Sequence, residues 1–101
     1  MKTLLFISSL FSALISFSQS DSLTTKEMRY GTVKEIYTVL NNTELKQGAY
    51  KMFYNNVLLC SGYYYNNQKN GPWIKYYPDG SISTTGAYSN GEKHGIWKFI
   101  Y

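Results

Sequence analysis

GAYKMFYNNVLLCSGYYYNNQKN (residues 48–70) is followed by GPWIKYYPDGSISTTGAYSNGEKH (residues 71–94), and then by GIWKFIY (residues 95–101). Anchored on glycine, the steps are 23 from Gly48 to Gly71 and 24 from Gly71 to Gly95, with a second series 24 apart at Gly62 and Gly86. Self-similarity at this period marks a repeat architecture, in which each unit is one small supersecondary element that buries its apolar face by stacking on the next.

Each unit reads as a two-stranded hairpin. YYPDGS (residues 76–81) carries a proline that presets φ, followed by Asp and Gly suited to a tight reversal, and Asn55–Asn56 stand in the same place one unit earlier. The other reversal is SerAsnGly at 89–91, matched by TyrAsnAsn at 65–67; Asn before Gly is a strong hairpin signal because both residues tolerate positive φ. Side-chain alternation assigns the faces. Tyr50, Met52 and Tyr54 superpose on Trp73, Lys75 and Tyr77, and on Trp97, Phe99 and Tyr101; in the second strands Leu58, Cys60, Gly62 and Tyr64 match Ile82, Thr84, Gly86 and Tyr88. A recurring glycine opposite a recurring ring predicts an indole or phenol lying over bare backbone.

Upstream, NNTELKQG (residues 41–48) resembles the linkers NNQKNG and NGEKHG, so residues 30–48 read as a worn earlier unit, with order beginning near Arg29. QSDSLTTKEM (residues 19–28) is polar and aperiodic and reads as a flexible leader. MKTLLFISSLFSALISFSQS at the start has one cation at Lys2, an uncharged stretch too short to span a bilayer, and small residues at Ser16 and Ser18. That is the pattern of a secretory signal over residues 1–18, and it predicts an exported, periplasmic or secreted product of about 80 residues. Residues 29–101 then form one repeat domain, too small for a deep core, for which partner binding is a natural source of extra stability.

The pattern of glycine, any residue, tryptophan, two residues, a ring, tyrosine, a turn, glycine, a ring and NG-x-K-x-G resembles the variant MORN repeat of bacterial proteins, including the YwqK-family antitoxins. It is carried by GPWIKYYPDG with GAYSNGEKHG, and more loosely by GAYKMFYNN with GYYYNNQKNG, over residues 46–101. The resemblance implies an all-β protein, an elongated single-layer antiparallel sheet of successive hairpins. It also implies protein–protein or membrane-surface contacts rather than catalysis, and an antitoxin-like neutralising role is the family's other association. Tyr50 departs from the pattern where Trp73 and Trp97 stand, as does Asn67 where Gly91 stands.

A net charge of +4 without a clustered basic stripe argues against nucleic acid as partner. No carboxylates converge by spacing and no glycine loop precedes a helix, so neither an enzyme nor a cofactor site is expected. His94, the single histidine, takes the turn phase of Asn70 with no metal-ligand cluster beside it, and no metal is expected. Cys60 aligns with Thr84 on the inner face as a small buried hydrophobe, although a free thiol in an exported protein can also bridge two chains.

Among 11 Tyr and 2 Trp, the phased rings Tyr50, Trp73, Trp97, Tyr64 and Tyr88 are assigned to the core with the repeat glycines Gly48, Gly62, Gly71, Gly86 and Gly95. Tyr63, Tyr65 and Tyr76 are less bound by the repeat; Tyr63 and Tyr65 face away from Tyr64, which makes them candidates for binding a protein partner. Lys46, Lys69 and Lys93 each stand two residues before a phased glycine. They form either a cationic row for an anionic membrane or a cell-envelope glycan, or a set of solubilising turn lysines that blunt the sheet. The strand from Ile96 to Tyr101 has no hairpin partner, and its edge is a candidate for self-association.

Overall fold

The computed structural model describes residues 22–101, so the expected signal segment lies outside the described residues. The described residues run through eight strands: β1 (Leu23–Tyr30), β2 (Val33–Leu40), β3 (Lys46–Tyr54), β4 (Val57–Tyr65), β5 (Gln68–Lys69), β6 (Gly71–Tyr76), β7 (Ile82–Ser89) and β8 (Glu92–Phe99). They form one open antiparallel sheet in the order β1-β2-β3-β4-β6-β7-β8, with β5 beside the end of β4. Neighbours in the sheet follow chain order, with β5 and β6 lying in succession against β4, as a hairpin repeat requires.

The reversals are built by asparagine. Asn55 and Asn56 have φ of 52° and 64°, Asn66 and Asn67 of 52° and 70°, and Asn90 and Gly91 of 51° and 88°. Two consecutive positive φ values define the two-residue turn whose twist matches that of the flanking strands. Asn67 therefore does the work of Gly91 because asparagine is among the few side chains that tolerate this region. The longer reversal after β6 is closed by Asp79, whose carboxylate accepts from both the backbone N–H and the hydroxyl of Ser81.

Two expectations need correction. Residues 23–28, expected in the flexible leader, belong to β1, paired with β2 from Leu23↔Leu40 to Tyr30↔Val33. All eight residues of β1 are exposed, so a backbone ladder rather than an apolar face holds it, and an edge strand of this kind is polar and aperiodic. The worn unit thus starts near Leu23, and residues 30–48 contain mainly its second half. The second correction concerns parity. Register shifts between Met52 and Phe53 and again between Lys75 and Tyr76, leaving Leu59 and Ser83 unpaired at one repeat phase. Each bulge inverts alternation locally. Leu58 lies opposite Phe53 and Ile82 opposite Tyr76, off the face of Cys60 and Thr84.

Beyond the bulges, alternation holds across the sheet. One row runs Lys26, Tyr37, Tyr50, Gly62, and the next row on that face runs Met28, Glu35, Met52, Cys60, Lys75, Thr84, Phe99. The core lies on this face: Tyr50, Cys60 and Trp73 are buried, with Tyr37, Met52, Tyr64, Tyr88 and Trp97 packed against them.

Candidate functional site

The phased rings form a continuous ladder across the strands of the sheet. Tyr50 to Tyr64 is 5.4 Å between ring centres, Tyr64 to Trp73 5.6 Å, Trp73 to Tyr88 5.7 Å and Tyr88 to Trp97 5.2 Å, each at 67–81° between planes. Edge-to-face contact sets the positive rim of one ring against the negative face of the next, adding to the area each ring buries. Glycine makes the ladder possible. A Cβ on Gly62 would lie 2.3 Å from Trp73 Cδ2, and one on Gly86 would lie 2.0 Å from Trp97 Cδ2, so each indole covers the glycine of the preceding hairpin. Tyr37 is opposite Tyr50, at the position Gly62 and Gly86 occupy beside Trp73 and Trp97. A bare backbone is absent there, and the smaller phenol of Tyr50 replaces an indole. Gly48, Gly71 and Gly95 serve a different purpose, since their φ values of 99°, 89° and 74° kink the strand just after each phased lysine.

The lysine row is part of this ladder, which neither sequence expectation included. Lys46 Nζ stands 4.9 Å from the centre of the Tyr37 ring and 5.1 Å from that of Tyr64. Lys69 Nζ is 4.9 Å from Trp73 and 5.0 Å from Tyr88, and Lys93 Nζ is 5.1 Å from Trp97. Such contacts are worth roughly 0.5–2 kcal/mol each. All three residues lie within strands, next to the turns rather than in them. Their placement has a local cause. The carbonyl of Lys46 accepts from Asn67 N at 2.8 Å, and that of Lys69 from Gly91 N at 2.9 Å, so each lysine backbone is clamped to the following hairpin turn. The next residue strengthens the clamp: Gln47 Oε1 accepts from Asn66 N and Asn70 Oδ1 from Asn90 N. His94 occupies that phase in the last unit, exposed and within β8 rather than in a turn.

Glu35 and Cys60 share the ladder face. The Tyr50 hydroxyl donates to Glu35 Oε2. Burial and then this carboxylate hold the Tyr50 phenol well above its ordinary value of 10.0, and burial followed by Glu35 raises that of Tyr64. Burial also pushes the Cys60 thiol above 9.0, against the pull of Lys75 and Lys69. A buried, protonated thiol is a poor nucleophile for disulfide exchange. Because the folded state holds these protons more tightly than the unfolded chain, their contribution is complete below the unfolded thiol and phenol values and is lost as pH rises from those values through the raised folded ones. The melting temperature is therefore expected to fall above about pH 9. Tyr50→Phe should cost about 1 kcal/mol at neutral pH and make the alkaline fall shallower; an unchanged alkaline slope would refute this assignment.

On the other face, Tyr63 and Tyr65 are 51% and 58% exposed. Tyr63 pairs with Ala49, so its ring has no large neighbour across the strand. Its carbonyl accepts from Asn70 N at 2.9 Å and from Trp73 Nε1 at 3.1 Å, which fixes the backbone from which the ring projects. Tyr76 differs: it is half-buried, with its hydroxyl 3.3 Å from Ser61 Oγ. β8 forms one edge of the sheet, where Ile96 is 85% and Phe99 58% exposed. Among the described residues no three His, Cys, Asp or Glu side chains gather as a metal site. Comparison with protein-family models, curated proteins and solved structures found no match to this chain.

Proposed function

We propose that this chain is an exported, non-enzymatic interaction module that binds a protein partner through the face bearing Tyr63 and Tyr65. The observation that carries this reading is the pair of half-exposed rings on a backbone pinned by Trp73 and Asn70. Rings displayed from a rigid strand lose little conformational entropy on docking and bury large area, the usual properties of interface anchors. The resemblance to MORN repeats, with their association with protein contacts, supports the same reading. Tyr63→Ser with Tyr65→Ser should leave the melting temperature within about 3 °C, because exposed positions contribute little to stability. In affinity capture from the exported fraction, the double variant is expected to lose the partner retained by the native chain. Equal capture by both proteins would overturn the assignment of this face.

A further inference from the structure

We infer that the opposite, ladder face is an anion-binding track for an acidic polysaccharide, specifically a glycan that carries one uronate carboxylate per disaccharide. The inference concerns a surface separate from Tyr63 and Tyr65 and does not depend on it. Four features of that face lead to this ligand. Lys46, Lys69 and Lys93 are held in place by the rings beneath them, yet their ammonium groups form no hydrogen bond or ion pair among the described residues. A lysine normally loses side-chain freedom when it binds an anion; here the aromatic contact restricts the stem beforehand and leaves the donors open.

The charge is also unbalanced on that side. Lys26 and Lys75 share the face by register, against two acids among the described residues: Glu35, which is engaged by Tyr50, and Glu44, which lines a hollow with Lys26. Spacing then selects the kind of anion. The three lysines recur once per hairpin, two strands apart, so their rows are separated by about 10 Å along the sheet. An alternating uronate and neutral-sugar polymer repeats its carboxylate on that scale. Nucleic acid does not, because phosphates follow one another at about 3.4 Å per strand.

A trough of about 240 Å³ lies on this row, lined by Met52, Cys60, Tyr64, Trp73, Lys69 and Lys75 among others. Apolar walls with ammonium groups as the only charged lining suit one acidic sugar, its carbon–hydrogen faces against the rings and its carboxylate toward Lys69 and Lys75.

Hyaluronan is a suitable probe, with dextran as the neutral polymer, poly-glutamate as an acidic peptide and phosphatidylglycerol vesicles as an anionic membrane. The full chain is expected to bind hyaluronan, to ignore dextran, and to bind more weakly at 200 mM than at 50 mM NaCl. Lys46→Gln, Lys69→Gln and Lys93→Gln combined should reduce hyaluronan affinity at least about tenfold. Lys34→Gln, Lys51→Gln and Lys98→Gln remove the same charge from the other face and should leave affinity within about twofold. Circular dichroism of both variants separates lost binding from lost folding; should the ladder triple variant fail to fold, Lys75→Gln, an exposed position, carries the same test with a loss of about threefold. No binding to hyaluronan would overturn the inference. Equal loss in both triple variants, or tighter binding to poly-glutamate or to the vesicles, would do the same.

Discussion

Valine at position 62 is expected to abolish the cooperative thermal transition. The physical reason is distance: the first side-chain carbon would already lie 2.3 Å from Trp73 Cδ2 and Cε2, where carbon atoms do not approach. Trp73 has little room to retreat, since it is only 5% exposed and is held by Tyr50, Tyr64, Tyr88 and the bond from its Nε1 to the Tyr63 carbonyl. Even Gly62→Ala should cost about 3 kcal/mol, the upper part of the range for overpacking, against a total stability on the order of 4–12 kcal/mol for about 80 residues. That corresponds to a fall of roughly 15 °C in melting temperature. Gly86→Ala should be milder despite its nominally shorter contact, because Trp97 belongs to edge strand β8, which can move outward. A melt of Gly62→Ala within about 3 °C of the native chain would contradict the close packing of indole on glycine.

Trp73→Ala is the second large effect. It opens the centre of the ladder, exposes the rings on both sides, removes the seat of the Lys69 ammonium and frees the Tyr63 carbonyl from one donor. Truncation of a buried aromatic costs about 3–5 kcal/mol, so most of the molecules should be unfolded at 37 °C. Trp97→Ala at the ladder's end should cost about half as much, because that ring is only partly buried and has a single ring neighbour. Denaturant unfolding monitored by circular dichroism measures both. Equal losses would show that the ladder's centre is not the core. Combining Gly62→Ala with Trp73→Leu supplies a further check, since removing the indole should relieve part of the clash and make the two losses less than additive.

The hairpin sheet was legible because its information is local. Asparagine pairs and PDG sit where φ must be positive or preset, and a reader of the chain needs no distant contact to find them. The ring and glycine phases were legible through repetition, which compares the chain with itself. β1 was not, since an exposed edge strand carries no apolar alternation and its order depends on a neighbour whose presence the residues of β1 do not announce. Nor were the bulges at Leu59 and Ser83, because an unpaired residue is defined by two strands together. For the lysines the spacing was visible but the destination was not; the swing of Lys69 onto Trp73 and Tyr88 depends on the clamp that Gly91 makes to its carbonyl from the next hairpin.

By itself, the sequence determined that this chain is a ladder of antiparallel hairpins with phased rings on one side, since turns and alternation are properties of a few adjacent residues. Tertiary structure alone decided which glycine lies under which indole, that the first rung is Tyr37 against Tyr50 rather than glycine against tryptophan, and that the lysine row rests on rings with its donors open. Those facts depend on register between strands. Register is set where a backbone can approach an indole and where a turn can reach the carbonyl of the strand before it, and both conditions arise only once the hairpins have stacked.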